Sequence, residues 1–156
     1  MNITVLAVGT KMPRWVDEAV GEYAKRFGRD VRYVLKEIKP EKRGAGVNAA
    51  QGMAAEEKRI AEAIPEGAFL VVLDERGKAP TSMELAACLE QWQQNGEHVC
   101  FVIGGADGMT EALKQRANLM MRLSSLTLPH GMVRVLLTEQ LYRAVSILHQ
   151  HPYHRE

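Results

Sequence analysis

The last eight residues of the chain, HQHPYHRE, concentrate side chains that can move protons and bind anions. They include His149, His151 and His154, together with Tyr153 and Arg155. Imidazole groups exchange protons near pH 7, whereas guanidinium and phenol groups hydrogen-bond anions and pack against flat rings. Because chain ends usually tolerate change, this tail is either a solvated end without consequence or a part of a functional site.

Three further segments place glycines or polar residues directly after apolar runs. They are Leu73-Asp74-Glu75-Arg76-Gly77, Gly104-Gly105-Ala106-Asp107-Gly108 and the stretch 123–129. In sheets of parallel strands, ligands bind just beyond the carboxyl ends of the strands, and glycine lets backbone amides approach a ligand closely. The glycine segment fits neither GxGxxG nor GxxxxGK(S/T), so a tight turn and a cofactor loop both stay open.

Other kinds of chemistry find little support in the sequence. The tail histidines span a helix end and a proline turn without nearby cysteines or paired carboxylates, and the two cysteines form no CxxC motif, so no metal site is predicted. RLSSL lacks the flanking glycines of a nucleophile elbow. Glu139 and Arg143 are four residues apart, which is typical of a helix-surface ion pair worth a few tenths of a kcal/mol.

The scaffold that must position these segments follows from the hydrophobic pattern. Apolar runs predict strands at 3–8, 31–38, 69–73, 98–103 and 122–129, and helical spacing predicts helices near 13–27, 49–64, 81–96, 111–117 and 132–150. Thr81 and Glu84 form a capping box at the start of the third helix. This alternation predicts an α/β fold, one domain over residues 1–156, with a parallel sheet covered by helices on both faces.

Composition narrows the class of protein. The 156 residues, 46% of them hydrophobic and 25% charged, fit one soluble domain. No basic region precedes the first apolar run as in a signal peptide, there is no run of ~20 apolar residues that could span a membrane, and the cysteines show no disulfide pattern. We therefore expect a cytoplasmic protein. The net charge is +1, but residues 1–43 carry +4 and residues 44–156 carry −3. The basic portion is either a phosphate-binding face or an ordinary solvated surface.

Five separated blocks carry a resemblance to a known family. The blocks are AVGTKMPRWV, FVIGGADG, LSSLTLPH, MVRVLLTEQLYRAVSI and HPYHRE. In their order and over the whole length of the chain, they resemble the ribosomal RNA large-subunit methyltransferase H family. The resemblance implies a SPOUT fold, an α/β sheet with a trefoil knot near the C-terminus, which is an exception to the rule of unthreaded connections. It also implies methylation of N3 of a pseudouridine in a 23S rRNA stem-loop, with S-adenosylmethionine as methyl donor, by a homodimer acting on assembled ribosomes.

The family's functional residues can be carried over to matching positions of this sequence. The resemblance implies a cofactor pocket at the three strand ends already singled out, made by Leu73, Gly104, Gly105, Leu123, Ser124, Ser125, Leu126, Thr127 and Leu128. It implies a catalytic group of Arg143, Tyr153 and His154. For the RNA, the candidates are Arg155, Lys11 and Arg14.

Within that group, each residue type suits one task. A neutral His154 would accept the N3 proton, and Arg143 or Arg155 would stabilise the resulting anion. Tyr153 would stack on the base or donate a hydrogen bond to it. Further candidates for contact with the ribosome are Lys25, Arg26 and the Lys42-Arg43 pair.

Two other functions stay open on the residues alone. A non-enzymatic rRNA-binding module would account for the basic N-terminal part but not for the tail or the strand ends. A nucleotide-binding enzyme of flavodoxin-like organisation would lack a phosphate-binding motif.

Overall fold

The computed structural model describes residues 1–44 and 46–154, in which strands and helices alternate strictly. The strands are β1 (Asn2–Val8), β2 (Arg32–Ile38), β3 (Phe69–Lys78), β4 (His98–Ile103) and β5 (Leu119–Met121). The helices are α1 (Arg14–Ala24), α2 (Ala49–Ala63), α3 (Ser82–Gln94), α4 (Glu111–Arg116) and α5 (His130–Leu148). The element order predicted from the hydrophobic pattern is confirmed.

All strand pairs are parallel, and the sheet has the order β2-β1-β4-β3-β5. Strand β1 is buried over Ile3–Val8 because β2 and β4 flank it, whereas β2 forms an edge and is largely exposed or half-buried. Since all strands run in one direction, their carboxyl ends meet at the same edge of the sheet. The parallel sheet is therefore confirmed, and it brings the predicted strand exits together.

Alternating side chains of the strands build a core on each face of the sheet, because successive residues of a strand point to opposite faces. On one face, Val5 and Phe101 pack with residues of α3 and α5, among them Leu89 and Leu141. The opposite face has its own core, in which residues of β1, β3 and β4 pack with Ile60 of α2 and Leu113 of α4. The prediction of helices on both faces is confirmed.

Strand β3 contains an irregularity near the site. Leu73 and Lys78 both lie opposite Met121 of β5, so that residues 74–77 bulge out between them. Gly77 permits this path because a Cβ atom there would lie 2.5 Å from the Met121 backbone nitrogen. The bulge therefore packs directly against the backbone of β5.

The prediction of a strand over 122–129 is wrong. The last strand is β5, and residues 122–129 lie outside the sheet. The apolar residues of LTLP favoured a strand, but strand formation needs a neighbouring backbone to pair with, and β3 pairs no further than Met121. The trefoil knot stays a prediction of the family resemblance.

Two remaining features concern the class of protein. None of the helices in the described ranges combines the length and hydropathy that a membrane span needs. Cys88 and Cys100 are both free thiols, Cys100 fully buried and Cys88 half-buried. Burial raises the pKa of the Cys100 thiol to about 12, so this cysteine is an inert core residue.

Candidate functional site

The carboxyl ends of β3, β4 and β5 surround one open cavity of about 510 Å³. Its lining comprises Leu73, Asp74, Glu75, Arg76, Ile103, Arg122, Leu123, Ser124, Ser125, Leu126, Thr127, Leu128 and Val133. Seven of the nine residues predicted for the cofactor pocket are in this lining. The structure therefore brings the exits of β3 and β5 together as one concave surface.

The segment 123–128 forms a large part of the lining. It begins where the Arg122 backbone N–H donates to the Lys78 carbonyl at 2.8 Å, and it ends at Pro129, which precedes α5. Within it, the Leu126 N–H donates to Ser124 Oγ at 2.9 Å. Because the segment is outside the sheet, its backbone groups are not used in a strand ladder. Leu126 is 77% exposed, a large fraction for a leucine.

Asp74 holds the β3 side of the cavity in place. Its carboxylate accepts hydrogen bonds from the Arg76 backbone N–H at 2.9 Å and forms an ion pair with Lys114 Nζ at 3.0 Å. Arg76 in turn pairs with Glu111 at 2.9 Å. Burial alone would raise the pKa of Asp74, but the hydrogen bonds from Arg76 and Lys114 outweigh it and lower the pKa. These contacts attach the bulge of β3 to α4.

Gly104 and Gly105 follow Ile103, which lines the cavity, but neither glycine is part of the lining. A Cβ on Gly104 would lie 2.9 Å from Met109 Cγ, and one on Gly105 would lie 2.9 Å from Val8 Cγ1. Both glycines thus allow close packing within the protein, and Gly105 also pairs with Gly108 in a tight turn. Their part in cofactor binding stays a prediction.

A buried arginine and a histidine of α5 connect this helix to the ends of the strands. Arg134 is 1% exposed; its Nη1 pairs with Glu37 at 2.7 Å and its Nη2 donates to the Gly9 carbonyl at 3.0 Å. Its Nε donates to His130 Nε2 at 2.9 Å, while His130 Nδ1 lies 3.1 Å from the Gly104 carbonyl. Since a carbonyl only accepts and a guanidinium only donates, His130 must be neutral with its proton on Nδ1.

This network was not predicted from the sequence. Its local signal is the spacing of His130 and Arg134, four residues apart at the start of a helix, which places both on one face. Burial, and next the charge of Arg134, lower the pKa of His130. The network ties α5 to the carboxyl ends of β1, β2 and β4.

The predicted catalytic residues Arg143 and Tyr153 meet at the other end of α5, around Glu139. Glu139 Oε1 accepts from Arg143 Nε and from the Tyr153 hydroxyl, each at 2.9 Å. The Arg143 guanidinium lies 4.8 Å from the centre of the Tyr153 ring, and this ring also packs against Tyr142 and Arg26. The tail is therefore folded onto α1 and α5.

The environment of Glu139 differs from the one predicted, and it also sets the protonation of Tyr153. Glu139 and Arg143 are not an ordinary surface pair, because Glu139 is only 8% exposed and its carboxylate also binds the tail. Burial and the hydrogen bond to Glu139 raise the pKa of Tyr153 well above its usual value. At neutral pH Tyr153 is thus a hydrogen-bond donor rather than a base.

His154 completes the predicted catalytic group. Its backbone N–H donates to the His151 carbonyl at 3.3 Å, and its ring atom Nδ1 is buried without a hydrogen-bond partner among residues 1–44 and 46–154. Because Nδ1 is buried, it is not accessible to a bound base in this arrangement, and the role of His154 as the base stays a prediction. Arg155 lies outside the described residues.

Within one chain, the tail group and the cavity are separate. Val133 lines the cavity and Arg143 is ten residues further along the same helix, a distance of about 15 Å at the rise of an α-helix. Arg143, Tyr153 and His154 are absent from the cavity lining. The structure of one chain therefore does not bring the predicted catalytic group into the lining of the cavity.

The basic residues predicted to contact RNA differ in exposure. Lys11 is exposed and Arg14 has a side chain that is 90% exposed, close to Glu18 at 3.9 Å. Arg43, in contrast, pairs with Asp107 at 2.7 Å and with buried Glu56 at 3.4 Å. Arg43 therefore fastens the loop before α2 to the glycine turn.

Across the described ranges, no three His, Cys, Asp or Glu side chains are grouped as a metal site would require.

Comparison with known proteins identifies the family of the chain. Residues 1–154 match the profile of the family described as "Predicted SPOUT methyltransferase". Proteins named ribosomal RNA large subunit methyltransferase H are 90% identical in Neisseria meningitidis, 88% in Neisseria gonorrhoeae and 65% in Chromobacterium violaceum, each over the full length of both chains.

A solved structure shares the fold. The probable methylase family protein of Haemophilus influenzae has a TM-score of 0.59 and 12% identity, and the match covers 95% of this chain and 66% of that one. At this identity the likeness concerns the fold alone. By the family profile and its full-length relatives, the chain belongs to the SPOUT methyltransferases, within the ribosomal RNA large subunit methyltransferase H family.

Proposed function

We propose that the protein transfers a methyl group from S-adenosylmethionine to N3 of a pseudouridine in 23S rRNA, on assembled ribosomes in the cytoplasm. The names of its full-length relatives support the rRNA substrate. The observation that carries the proposal is the cavity at the carboxyl ends of β3, β4 and β5, which contains Leu73 and the segment 123–128. The position of the methylated atom rests on the family resemblance.

The cavity suits the methyl donor in size and chemistry. Its volume of about 510 Å³ lies within the range of roughly 300–1,000 Å³ that small-molecule sites occupy. Leu73, Leu126 and Leu128 offer apolar contacts for adenine, and the backbone of 123–128, which takes no part in the sheet, offers donors and acceptors for its nitrogens. When bound, the donor supplies a methyl group on a positively charged sulfur, which is an activated electrophile.

The tail supplies the groups that the acceptor base needs. N3 of a pseudouridine carries a proton, and His154, which follows Tyr153 in the tail, is the residue that accepts it. Arg143, oriented by Glu139, stabilises the negative charge that develops on the base. Tyr153, with Arg143 and Glu139 around it, holds the base by stacking.

A homodimer unites these two halves. Because Arg143 lies about 15 Å along α5 from Val133 of the cavity lining, and Tyr153 packs against Arg143, one subunit provides the donor cavity and its partner provides Arg143, Tyr153 and His154. The ribosome supplies the remaining binding surface, since a net charge of +1 is too small for strong binding to free RNA. Lys11, Arg14 and Arg155 are the proposed contacts to rRNA.

Calorimetric titration with S-adenosylmethionine tests the cavity. Ser125→Trp, which fills the cavity with an indole ring, should abolish binding, whereas Gln93→Trp on the exposed side of α3 should bind as the wild type does. Equal binding by the wild type and Ser125→Trp would contradict the proposed cavity. Gly105 is a poorer probe, because any side chain there would also collide with Val8.

A mixing experiment tests the composite site. Ser125→Trp and His154→Ala chains, each inactive alone, should regain about a quarter of wild-type ribosome methylation when they are refolded together, because half of the dimers contain one intact site. No recovery, with heterodimers demonstrated by mass, would contradict a site shared between subunits.

The role of His154 and the substrate need separate tests. His154→Ala should lose methyl transfer between about pH 6 and 9 while it still binds the donor; near-wild-type transfer would exclude His154 as the base. Assembled ribosomes should be methylated and the naked stem-loop bound only weakly. A tight complex with the naked stem-loop would contradict the need for the ribosome.

A further inference from the structure

We propose that Arg122 binds the carboxylate of the methyl donor, at its amino-acid end. This inference rests on the proposed function, because it requires S-adenosylmethionine in the cavity. Arg122 directly follows β5, and its backbone is fixed by the hydrogen bond from its N–H to the Lys78 carbonyl at 2.8 Å. Its side chain lines the cavity, and Nε is buried without a hydrogen-bond partner among the described residues.

The other cationic side chain of the cavity is already engaged. Arg76 pairs with Asp74 at 3.4 Å and with Glu111 at 2.9 Å, and Asp74 is further bound by Lys114. Arg122, in contrast, forms no ion pair within residues 1–44 and 46–154. Within the described part of the chain, no carboxylate therefore neutralises the charge that Arg122 brings to the cavity.

A buried guanidinium N–H without an acceptor is unfavourable, since it has lost its water without gaining a protein partner. An anion with two oxygen atoms is the best complement, because the planar guanidinium can donate two parallel hydrogen bonds to a carboxylate. Adenine and ribose offer only neutral acceptors. The carboxylate at the methionine end is the one anionic group of the donor, so it is the expected partner of Arg122.

The shape of the site also favours the amino-acid end. Arg122 and Leu123 line both the main cavity and a smaller one of about 280 Å³, so the two cavities adjoin at these residues. The smaller cavity is bordered by polar residues, including Ser82 and Gln140, which are joined by a 2.6 Å hydrogen bond. With adenosine against the leucines of the main cavity, the polar end of the donor reaches Arg122 at this junction.

The test compares two ligands that differ only in the carboxylate. They are S-adenosylhomocysteine and its decarboxylated analogue, whose affinities for the intact protein are measured by calorimetry. Wild type should bind S-adenosylhomocysteine at least about tenfold more tightly than the analogue, which corresponds to one charge-assisted hydrogen bond. Arg122→Met should remove most of this ratio by weakening only the ligand that has the carboxylate, and Arg122→Lys should keep part of it.

Arg76→Met is the matched control, because Arg76 lines the same cavity but is already paired. It should leave the ratio between the two ligands unchanged, whatever it does to each affinity. A wild-type ratio near one, or a ratio that survives in Arg122→Met, would overturn the role of Arg122 while leaving the cavity intact. Failure of the wild type to bind either ligand would instead overturn the proposed cofactor, and this inference with it.

Discussion

Replacing Gly77 by alanine tests the contact between the bulge of β3 and the last strand. A Cβ atom at this position would lie 2.5 Å from the Met121 backbone nitrogen, 2.6 Å from its Cα and 2.7 Å from the Met120 carbonyl carbon. Ordinary contacts of a Cβ begin at 3.4 Å. The obstructing atoms are all backbone, so no side chain can rotate away, and one of the two segments must move by about 1 Å.

The expected cost follows from this displacement. Overpacking that forces a backbone shift typically lowers the free energy of unfolding by about 1–3 kcal/mol. Strand β5 has only three residues and leads directly into the segment 122–128, so the displacement also reaches the wall of the donor cavity. We therefore expect Gly77→Ala to weaken donor binding by about tenfold or more, in addition to its effect on stability.

Gly21→Ala is the matched control. Gly21 is inside α1, and a Cβ there meets nothing within 4 Å; alanine should raise the free energy of unfolding by about 0.5–1 kcal/mol through its better helix propensity. Urea unfolding followed by circular dichroism, at one protein concentration, measures both variants, and calorimetry measures donor binding. If Gly77→Ala unfolded at the same urea concentration as the wild type and bound the donor equally well, the close approach of the bulge to β5 would be refuted.

Three further predictions concern other parts of the molecule. Glu139→Gln removes the charge that orients Arg143 and Tyr153, and it should lower the rate of ribosome methylation about tenfold without changing donor affinity; an unchanged rate would exclude this orienting role. Burial lowers the pKa of His130 below its usual 6.5, so below pH 6.5 the unfolded chain binds a proton that the native state excludes. The free energy of unfolding should therefore decrease as the pH is lowered below 6.5, and it should decrease less steeply in His130→Asn. Urea unfolding at a series of pH values measures both slopes; parallel curves for the two proteins would contradict this. Arg14→Ala removes a side chain that is 90% exposed, so it should leave stability unchanged but weaken ribosome binding and reduce the salt dependence of that binding. Sedimentation with ribosomes at several salt concentrations measures this. An unchanged salt dependence would remove Arg14 from the rRNA contacts.

The alternation of strands and helices could be predicted because its signals are local. The apolar run of β1 and the capping box at Thr81 and Glu84 lie within a few residues of chain, and the structure contains both. The shared edge of the strand exits also followed, because parallel strands necessarily end on the same side of a sheet. For the same reason, the segments 73–77 and 123–129, which the sequence singled out, supply most of the cavity lining.

The end of β5 could not be predicted in this way. LTLP is as apolar as a strand, but a strand exists only where another backbone offers hydrogen bonds, and Met121 is the last residue that β3 pairs with. The surroundings of Glu139 escaped prediction for a related reason. Its spacing to Arg143 indicated a surface pair, whereas its burial depends on the tail, fourteen residues further along, returning to α5.

By itself, the sequence determined the α/β class, the order of the elements and the edge of the sheet where the glycine-rich and polar strand exits meet, because hydrophobic period and helix caps act over a few residues. Its resemblance to a family added the candidate chemistry. Only the tertiary structure decided that Arg134 is buried against Glu37 and Gly9, that Arg122, which lines the cavity, has a buried and unpaired Nε, and that Arg143, Tyr153 and His154 lie outside the cavity lining of their own chain. These features depend on contacts between residues distant in the chain, and the energy of a charged group is set by whichever partners folding brings to it.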